Sequence, residues 1–295
     1  MNPSINFLGL PQKNVEYASS PVVVCPIPWE KTTSYMKGCV NGPQAILEAS
    51  HQVEFYDPEL KILSWKPGIY TEAPLNLNRL DTPEAFKKIE EKFGKFLADG
   101  KFPIGLGGEH SISAPTITAA AKRFPNLSVL QIDAHADLRE SYEGTPYSHA
   151  CAMRLIASKV KKLVGVGIRS VDIEEVEFAK ANPHIHLIYD HKRIGNEHWI
   201  QEALDHLTDT VYLTIDIDGF DPSLVPATGT PEPGGLSWYE GLSLISALFQ
   251  SKKVVASDLV ELMPQPHQHA SNFVAAKLVY KLIGYWQKYQ KTVKS

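Results

Sequence analysis

Short apolar runs alternate with amphipathic helical patterns along almost the whole chain, and this alternation is the feature that most constrains the fold. The segment 21–27 reads PVVVCPI, and a helical pattern over 42–50 follows it. Strands buried on both faces read as continuous apolar runs, and parallel strands are joined by helical crossovers. The sequence therefore predicts an α/β fold in which helices cover both faces of a parallel sheet. Further strands are predicted at 102–106, 127–132, 162–166, 186–189, 211–215 and 254–260, and further helices at 82–99 (with Thr82 as its cap), 113–123, 172–181, 196–207, 237–250 and 270–288.

The length and composition favour one folded unit. The chain has 295 residues, of which 43% are hydrophobic, which is enough for a sizeable core. Segments rich in Pro, Gly and Ser do not interrupt the alternation, so we expect a single domain over residues 1–295. A net charge of −4 gives no basic surface of the kind that nucleic-acid binding requires.

The chain carries no mark of export or membrane insertion. It has three cysteines, Cys25, Cys39 and Cys151, and an odd count in a long chain argues against a disulfide scaffold. Its first residues lack the basic and apolar regions of a signal peptide. It also has no run of about 18 apolar residues, the length needed to span a membrane. We therefore expect a soluble cytoplasmic protein.

Acidic and histidine residues stand where four of the predicted strands end. Because the carboxyl ends of parallel strands meet at one edge of a sheet, and ligands bind outside that edge, we expect these side chains to share a site. His110 follows strand 102–106, Asp133, His135 and Asp137 follow strand 127–132, Asp216 and Asp218 follow strand 211–215, and Glu261 follows strand 254–260.

The spacing of these residues predicts a metal site. Residues at i, i+2 and i+4 of an extended segment point the same way, so Asp133, His135 and Asp137 are expected to converge. Four carboxylates that share a site repel one another unless cations neutralise them, and two divalent ions would do so. A ligand set rich in carboxylate and free of thiolate favours manganese over zinc or copper.

In these motifs the chain resembles the ureohydrolase family, which includes the arginases and agmatinases. The segment Gly107-Gly-Glu-His110-Ser is similar to the first family signature, and Asp133-Ala-His135-Ala-Asp137 is similar to the second. The segment from Thr214 to Pro222, continued by TGTPEPGG over 228–235, is similar to the third, although a serine often stands where Thr214 does. The resemblance covers nearly the whole chain.

The resemblance implies a three-layer α/β/α sandwich with a mainly parallel sheet of about eight strands. It also implies assembly as a homo-oligomer, a trimer or a hexamer, and a centre of two Mn²⁺ ions per subunit. One ion would bind His110, Asp133, Asp137 and Asp216, and the other would bind Asp133, His135, Asp216 and Asp218, so that Asp133 and Asp216 bridge.

We hypothesise a role for each catalytic residue in the hydrolysis of a cationic guanidino substrate. Metal-activated hydroxide would attack the guanidinium carbon, and Asp137 would move a proton to the departing amine. Glu261 would hold the guanidinium through charge-assisted hydrogen bonds. His149, in the segment Ser148-His149-Ala, stands where the family has its active-site histidine and would relay protons.

Two further acids are expected to support the site. Asp258 lies inside the last predicted strand, where an unpaired charge is costly, so we expect a buried carboxylate that orients a neighbouring group. Glu109 precedes His110, and we expect it to form a hydrogen bond to a metal ligand.

The expected substrate is agmatine, which would yield putrescine and urea, a step of polyamine biosynthesis. Arginases carry an asparagine two positions after the second signature, whereas this chain has Arg139 there, which argues against arginine. Glu140 and Glu143 are candidates to meet a distal amine. The alternatives are N1-aminopropylagmatine, which would give spermidine and urea, guanidinobutyrate and other guanidino compounds, and a catalytically inactive family member.

Overall fold

The structure is a computed structural model and describes residues 5–11 and 14–290. These residues form ten β-strands and nine α-helices. The strands are β1 Val22–Ile27, β2 Tyr56–Asp57, β3 Ile62–Leu63, β4 Ile69–Thr71, β5 Phe102–Gly107, β6 Leu127–Ile132, β7 Lys162–Ile168, β8 Ile185–Tyr189, β9 Thr210–Asp216 and β10 Lys253–Val260. The helices are α1 Gly42–Ser50, α2 Thr82–Ala98, α3 Ser113–Arg123, α4 Ala152–Ala157, α5 Ile173–Ala181, α6 Asp190–Arg193, α7 Trp199–Asp205, α8 Trp238–Ser251 and α9 His269–Tyr289.

Eight of the strands form one sheet in the order β4-β1-β5-β10-β9-β6-β7-β8. Every neighbouring pair in this sheet is parallel. The predicted α/β class and the parallel sheet are therefore confirmed, and all seven strands predicted from apolar runs are present. The eighth strand, β4, has three residues and no apolar run, so the sequence pattern did not reveal it. Strands β2 and β3 form a separate antiparallel pair.

Helices bury both faces of the sheet. Along β1, Val22 and Val24 pack into one apolar cluster, while Val23, Cys25 and Ile27 pack into another. Helix α9 contributes to the first cluster, in which Leu278 and Leu282 are buried. This arrangement explains why the central strands consist of continuous rather than alternating apolar residues.

The first residue of a helix is defined by capping hydrogen bonds, which the apolar pattern does not reveal. The N-cap of α2 is Asp81, not Thr82 as predicted, because the Asp81 side chain accepts the Glu84 backbone N–H while the Glu84 side chain accepts that of Asp81. The same reciprocal arrangement begins α5 at Asp172 and Glu175. Helix α7 spans Trp199–Asp205 and is shorter than the predicted 196–207.

None of the helices within residues 5–11 and 14–290 is long and apolar enough to cross a membrane.

Close backbone packing holds together the ends of β1, β5 and β10. Gly108 donates its N–H to Ile27 O at 3.1 Å and accepts the Glu261 N–H at 2.8 Å. A Cβ atom at Gly108 would lie 2.0 Å from Trp29 O. A side chain here would therefore push the segment that leads to His110 away from the end of β1.

We predict that Gly108→Ala lowers the free energy of unfolding by about 3 kcal/mol, because overpacking against backbone atoms leaves no flexible group to yield. Urea denaturation measures this change. Gly94→Ala is the control, because a Cβ at Gly94 meets nothing within 4 Å inside α2 and should stabilise the helix. Equal stability of the two variants would contradict this prediction.

Candidate metal centre and adjoining pocket

The candidate site lies at the carboxyl ends of four consecutive strands of the sheet, β5, β10, β9 and β6. A short 3-10 helix, His110–Ile112, begins two residues after β5, and another, Ile217–Gly219, follows β9 directly. Asp133 follows β6. The strand order therefore brings together residues that are up to 151 positions apart, from His110 to Glu261.

The His110 ring faces three carboxylates. Its Nδ1 atom lies 3.0 Å from Asp133 Oδ2, 2.9 Å from Asp137 Oδ2 and 3.4 Å from Asp216 Oδ2. All four side chains are buried. Ring nitrogen and carboxylate oxygens thus converge on one point from three segments of the chain.

A second group forms around His135. The His135 Nδ1 atom lies 3.0 Å from Asp218 Oδ2 and 3.6 Å from Asp133 Oδ1. The two oxygens of Asp133 therefore face different histidines. The ligand atoms of His110, Asp133 and Asp216 lie within 4.8 Å of one another, as do those of Asp133, His135 and Asp218, and either group could hold a metal ion.

Asp137 joins the first group through a turn rather than through strand alternation. Its backbone adopts the left-handed region with φ 54°, which is unfavourable for a residue with a side chain. The residues 133–137 are not part of a strand, so the expectation of a simple i, i+2, i+4 face was wrong in its geometry. The three side chains still converge, because the turn at Asp137 brings its carboxylate back to His110.

Burial and neighbouring negative charges disfavour the ionised forms of two carboxylates of this site, Asp137 and Asp216. Burial and then the charge of Asp133 raise the pKa of Asp137 to about 7. Burial and then the charges of Asp218 and Asp133 raise the pKa of Asp216 well above its ordinary value. Burial disfavours the charged His135 ring, but Asp218 and Asp133 outweigh it and bring the His135 pKa to about 12. A divalent cation would relieve this repulsion and displace the protons.

The donor set fits a metal ion. Within residues 5–11 and 14–290, no group forms a hydrogen bond of acceptable geometry with the buried His110 Nδ1, although three carboxylate oxygens lie near it. A buried nitrogen that is surrounded by oxygens without pairing to any of them is arranged as a ligand atom. Oxygen-rich groups with one imidazole each suit a hard or borderline divalent ion.

A pocket of about 250 Å³ adjoins the two groups. His135 and Asp137 lie at its wall, so the groups are accessible from it. Arg139 also lines it and pairs with Asp172 at 3.3 Å, with Glu175 4.0 Å away. The other lining residues are Ser34, Tyr142, His149, Ala150, Ser170, Val171 and Thr230.

Glu140 and Glu143, which the sequence offered for a distal amine, are both exposed and are not among the residues that line the pocket. The acids that do line it beyond the candidate ligands are Asp172 and Glu175. Sequence reasoning missed these two, because each reads as part of a helix start.

His149 lies at the pocket wall, where the 3-10 helix His149–Cys151 begins. Its backbone N–H donates to Thr32 Oγ1 at 3.0 Å, and its Nδ1 lies 3.3 Å from the same oxygen. Its ring packs edge-on against Tyr142. Burial lowers the His149 pKa; the charge of Glu109 opposes this shift and that of His135 adds to it, so the neutral ring is favoured.

Glu109 anchors the segment that carries Thr32. Its buried carboxylate accepts the backbone N–H groups of Lys31 and Thr32, each at 2.6 Å. It also accepts the hydroxyls of Thr32 and Ser111. We expected Glu109 to bond to a metal ligand, but it instead positions the residue that contacts His149. No local sequence signal could reveal this contact, because Thr32 and Glu109 are 77 positions apart.

Glu261 follows β10 and lies next to His110, a member of the first group of candidate metal ligands. Its Oε1 accepts the His110 backbone N–H at 2.6 Å, and its backbone is left-handed with φ 61°. Burial and then the charge of Glu109 raise the Glu261 pKa to about 8. Only 8% of Glu261 is exposed, and it is not among the residues that line the pocket.

Comparison with known proteins identifies the family. The model of the arginase family matches residues 20–284. Since this match covers most of the chain, the protein belongs to the arginase family, and the predicted family is confirmed.

The relatives are guanidino hydrolases by name. An N(1)-aminopropylagmatine ureohydrolase from Synechocystis sp. is 43% identical over 282 residues, which cover 93% of this chain and 92% of that protein. An agmatinase from Bacillus anthracis is 36% identical and covers 92% of this chain and 94% of its own length. The structure of the agmatine ureohydrolase of Thermoplasma volcanium superposes with a TM-score of 0.86 at 32% identity, covering 95% of this chain and 94% of its own. The predicted arginase-like fold and the ureohydrolase class of enzyme are thereby confirmed.

We predict that Mn²⁺ raises the thermal unfolding midpoint of the metal-stripped protein and that Asp133→Asn removes most of this increase. A ligand at 100 times its dissociation constant adds about 2.7 kcal/mol of stability. Asp133 contacts both histidines, so its loss weakens both groups. Scanning calorimetry with graded Mn²⁺ measures the shift, with the exposed Asp209→Asn as the control. An undiminished shift in Asp133→Asn would show that the ion binds elsewhere.

Proposed function

We propose that this chain hydrolyses the guanidino group of agmatine and releases putrescine and urea. The observation that carries the proposal is the shared position of Asp133 between His110 and His135, beside a pocket that His135 and Asp137 line. A carboxylate with one oxygen toward each imidazole is arranged to bridge two cations, as hydrolytic two-metal sites require.

The proposed ligands are those that the family resemblance implied. One ion would bind His110, Asp133, Asp137 and Asp216, and the other would bind Asp133, His135, Asp216 and Asp218. The contacts around His110 support the first set, and the close approach of Asp218 to His135 supports the second. The carboxylate-rich composition of both sets favours Mn²⁺. When bound, divalent ions supply a water of lowered pKa and polarise the substrate.

Asp137 is the proposed proton carrier. Its carboxylate lines the pocket and lies 2.9 Å from His110 Nδ1. A general base must lie within hydrogen-bond reach of the proton that it moves, and Asp137 is an acid that belongs to a candidate metal group and also faces the pocket. His149, neutral and at the pocket wall, is the proposed exchange point for protons with solvent.

Glu261 is the proposed holder of the guanidinium. The His110 N–H fixes one carboxylate oxygen, which sets the direction of the group next to the metal ligands. Two oxygens of a carboxylate match the parallel N–H groups of a guanidinium. Binding of that cation also favours the charged form of a carboxylate whose pKa burial has raised.

N1-aminopropylagmatine is a second candidate substrate, favoured by the similarity to the Synechocystis enzyme of that name. Both substrates end in amines, and the pocket wall away from the candidate ligands carries two acids, Asp172 and Glu175, that suit a cation. Asp172 and Glu175 face a single guanidinium, that of Arg139, so the group retains a negative charge. Tyr142 lines the same wall, and the Arg139 guanidinium lies 5.1 Å from the centroid of its ring. We propose that these residues, rather than Glu140 and Glu143, meet the distal end.

The setting of the enzyme is part of the same proposal. All three cysteines are free and buried, which supports a reducing compartment such as the cytoplasm. A trimer or hexamer is proposed from the family resemblance, and sedimentation velocity measures it. Large exposed aromatic side chains such as Tyr239 and Phe273 are consistent with an association surface.

We predict that the Mn²⁺-loaded protein releases urea from agmatine or N1-aminopropylagmatine and far less from arginine or guanidinobutyrate, because the pocket carries excess negative charge where a carboxylate would have to sit. A coupled urea assay of kcat/KM across these four substrates measures the preference. A higher kcat/KM for N1-aminopropylagmatine would select the second candidate. Two bound ions without urea from any of them would leave the metal centre standing and refute the substrate class.

We predict that Glu261→Gln retains two ions per chain but raises KM for the guanidino substrate and lowers kcat/KM by roughly 10²-fold or more, because an amide loses the charge-assisted bonds. Elemental analysis and urea kinetics measure these two effects separately. Glu91→Gln on the exposed side of α2 is the matched control. Kinetics equal to those of the parent would exclude Glu261 as the clamp.

A further inference from the structure

Asp258 is a buried carboxylate in the middle of β10, and its surroundings contain hydroxyls rather than cations. It pairs in register with Thr214 of β9. Thr214 Oγ1 lies 2.6 Å from Asp258 Oδ1, and Tyr212 Oη lies 2.6 Å from Oδ2. Thr116 Oγ1 lies 3.3 Å from Oδ2. No lysine or arginine of the described chain forms an ion pair with Asp258.

Thr214 links this carboxylate to His110. Its Oγ1 lies 2.9 Å from His110 Nε2, on the side of the ring opposite the metal groups. The three side chains therefore form a buried chain in the order Asp258, Thr214, His110. Asp258 and Thr214 are completely buried, and His110 is 1% exposed, so water does not compete for these bonds.

A count of protons fixes the direction of both bonds. Thr214 Oγ1 also lies 3.2 Å from Ser113 Oγ, which carries a proton of its own and can donate. The carboxylate, at 2.6 Å, offers only acceptors, so the single proton of the Thr214 hydroxyl is donated to Asp258. The Thr214 oxygen then has only lone pairs left for His110, whose Nε2 must donate. The ring proton of neutral His110 consequently resides on Nε2, and Nδ1 presents a lone pair to Asp133, Asp137 and Asp216.

We propose that Asp258 and Thr214 are a positioning pair that fixes the tautomer and ring orientation of His110 and so sets the affinity of one of the two metal sites. This inference rests on the proposed function, because it assigns Nδ1 of His110 as a ligand atom. Histidine ligands commonly donate their second nitrogen to a carboxylate or carbonyl. Here the threonine hydroxyl accepts the bond from the histidine and itself donates to the carboxylate of Asp258.

A purely structural role explains the arrangement less well. A carboxylate without a cation in the centre of a sheet costs free energy that an apolar side chain of similar volume would not. Asp57, another buried acid, is paired with Lys281 at 2.8 Å. The loss of metal affinity should be confined to the site that contains His110. The His135 side chain is 25% exposed, so water can form the hydrogen bond to its second ring nitrogen.

The test compares Mn²⁺ binding by wild type, Thr214→Val, Thr214→Ser and Asp258→Asn. Valine keeps the shape and removes the hydroxyl, whereas serine restores the hydroxyl. In Asp258→Asn, the new side-chain amide can donate to Thr214, which then turns its own proton toward His110 Nε2 and favours the tautomer with a blocked Nδ1. Equilibrium dialysis against graded free Mn²⁺, followed by elemental analysis, gives both affinities, and calorimetry verifies folding.

We expect Thr214→Val and Asp258→Asn to weaken one of two ions by roughly 10- to 100-fold and leave the other unchanged. Thr214→Ser should bind both ions as wild type does. Asp57→Asn is the matched control, because it also removes a buried carboxylate and should lower stability without changing either affinity.

Wild-type affinity for both ions in Thr214→Val and Asp258→Asn would overturn the proposal, as would an equal loss at both sites. If Asp258→Asn does not fold, the Val and Ser variants of Thr214 decide the question. Failure of wild type itself to bind two ions would refute the proposed metal centre, and that result is separate because it precedes any substitution.

Discussion

Repulsion among buried carboxylates at the carboxyl edge of the sheet is the interaction on which the rest of this structure depends. Asp133, Asp137, Asp216 and Asp218 are each 5% exposed or less. Grouping them costs free energy, because burial and neighbouring negative charges raise the pKa values of Asp137 and Asp216. The buried strands that end at this edge supply the compensating apolar contacts, and they leave the carboxylates no freedom to separate. A divalent ion converts the same geometry from repulsion into attraction.

The backbone stores strain at the same edge. Asp137 and Glu261 both adopt left-handed backbone conformations, which cost of order 1–3 kcal/mol for residues with side chains. Each turn follows a strand closely and redirects a carboxylate toward His110. The tight approach of Gly108 to Trp29 O fixes the strand ends against which Glu261 turns. Strain and close packing therefore act together to hold functional oxygens in place.

Sequence reasoning succeeded where a single physical rule applied and failed where distant segments had to meet. Apolar runs predicted seven strands, and the rule that parallel strands end at a common edge predicted which residues would converge. The three-residue strand β4 carries no such run. The left-handed backbone of Asp137 cannot be read from the spacing of residues along the sequence. The contact between Thr32 and His149 spans 117 positions and belongs to tertiary packing alone.

Glu109 and Asp258, the two acids that support the site, are held in the same way, and the nearby candidate metal ligands explain why. Glu109 and Asp258 are both completely buried, and within the described residues hydroxyl and amide donors hold them rather than lysine or arginine. A cationic partner at either position would stand next to the metal groups and oppose the binding of divalent ions. Neutral donors hold a carboxylate without adding positive charge. The guanidinium of Arg139 lies instead on the pocket wall beside Asp172, so this positive charge is paired there and not with Glu109 or Asp258.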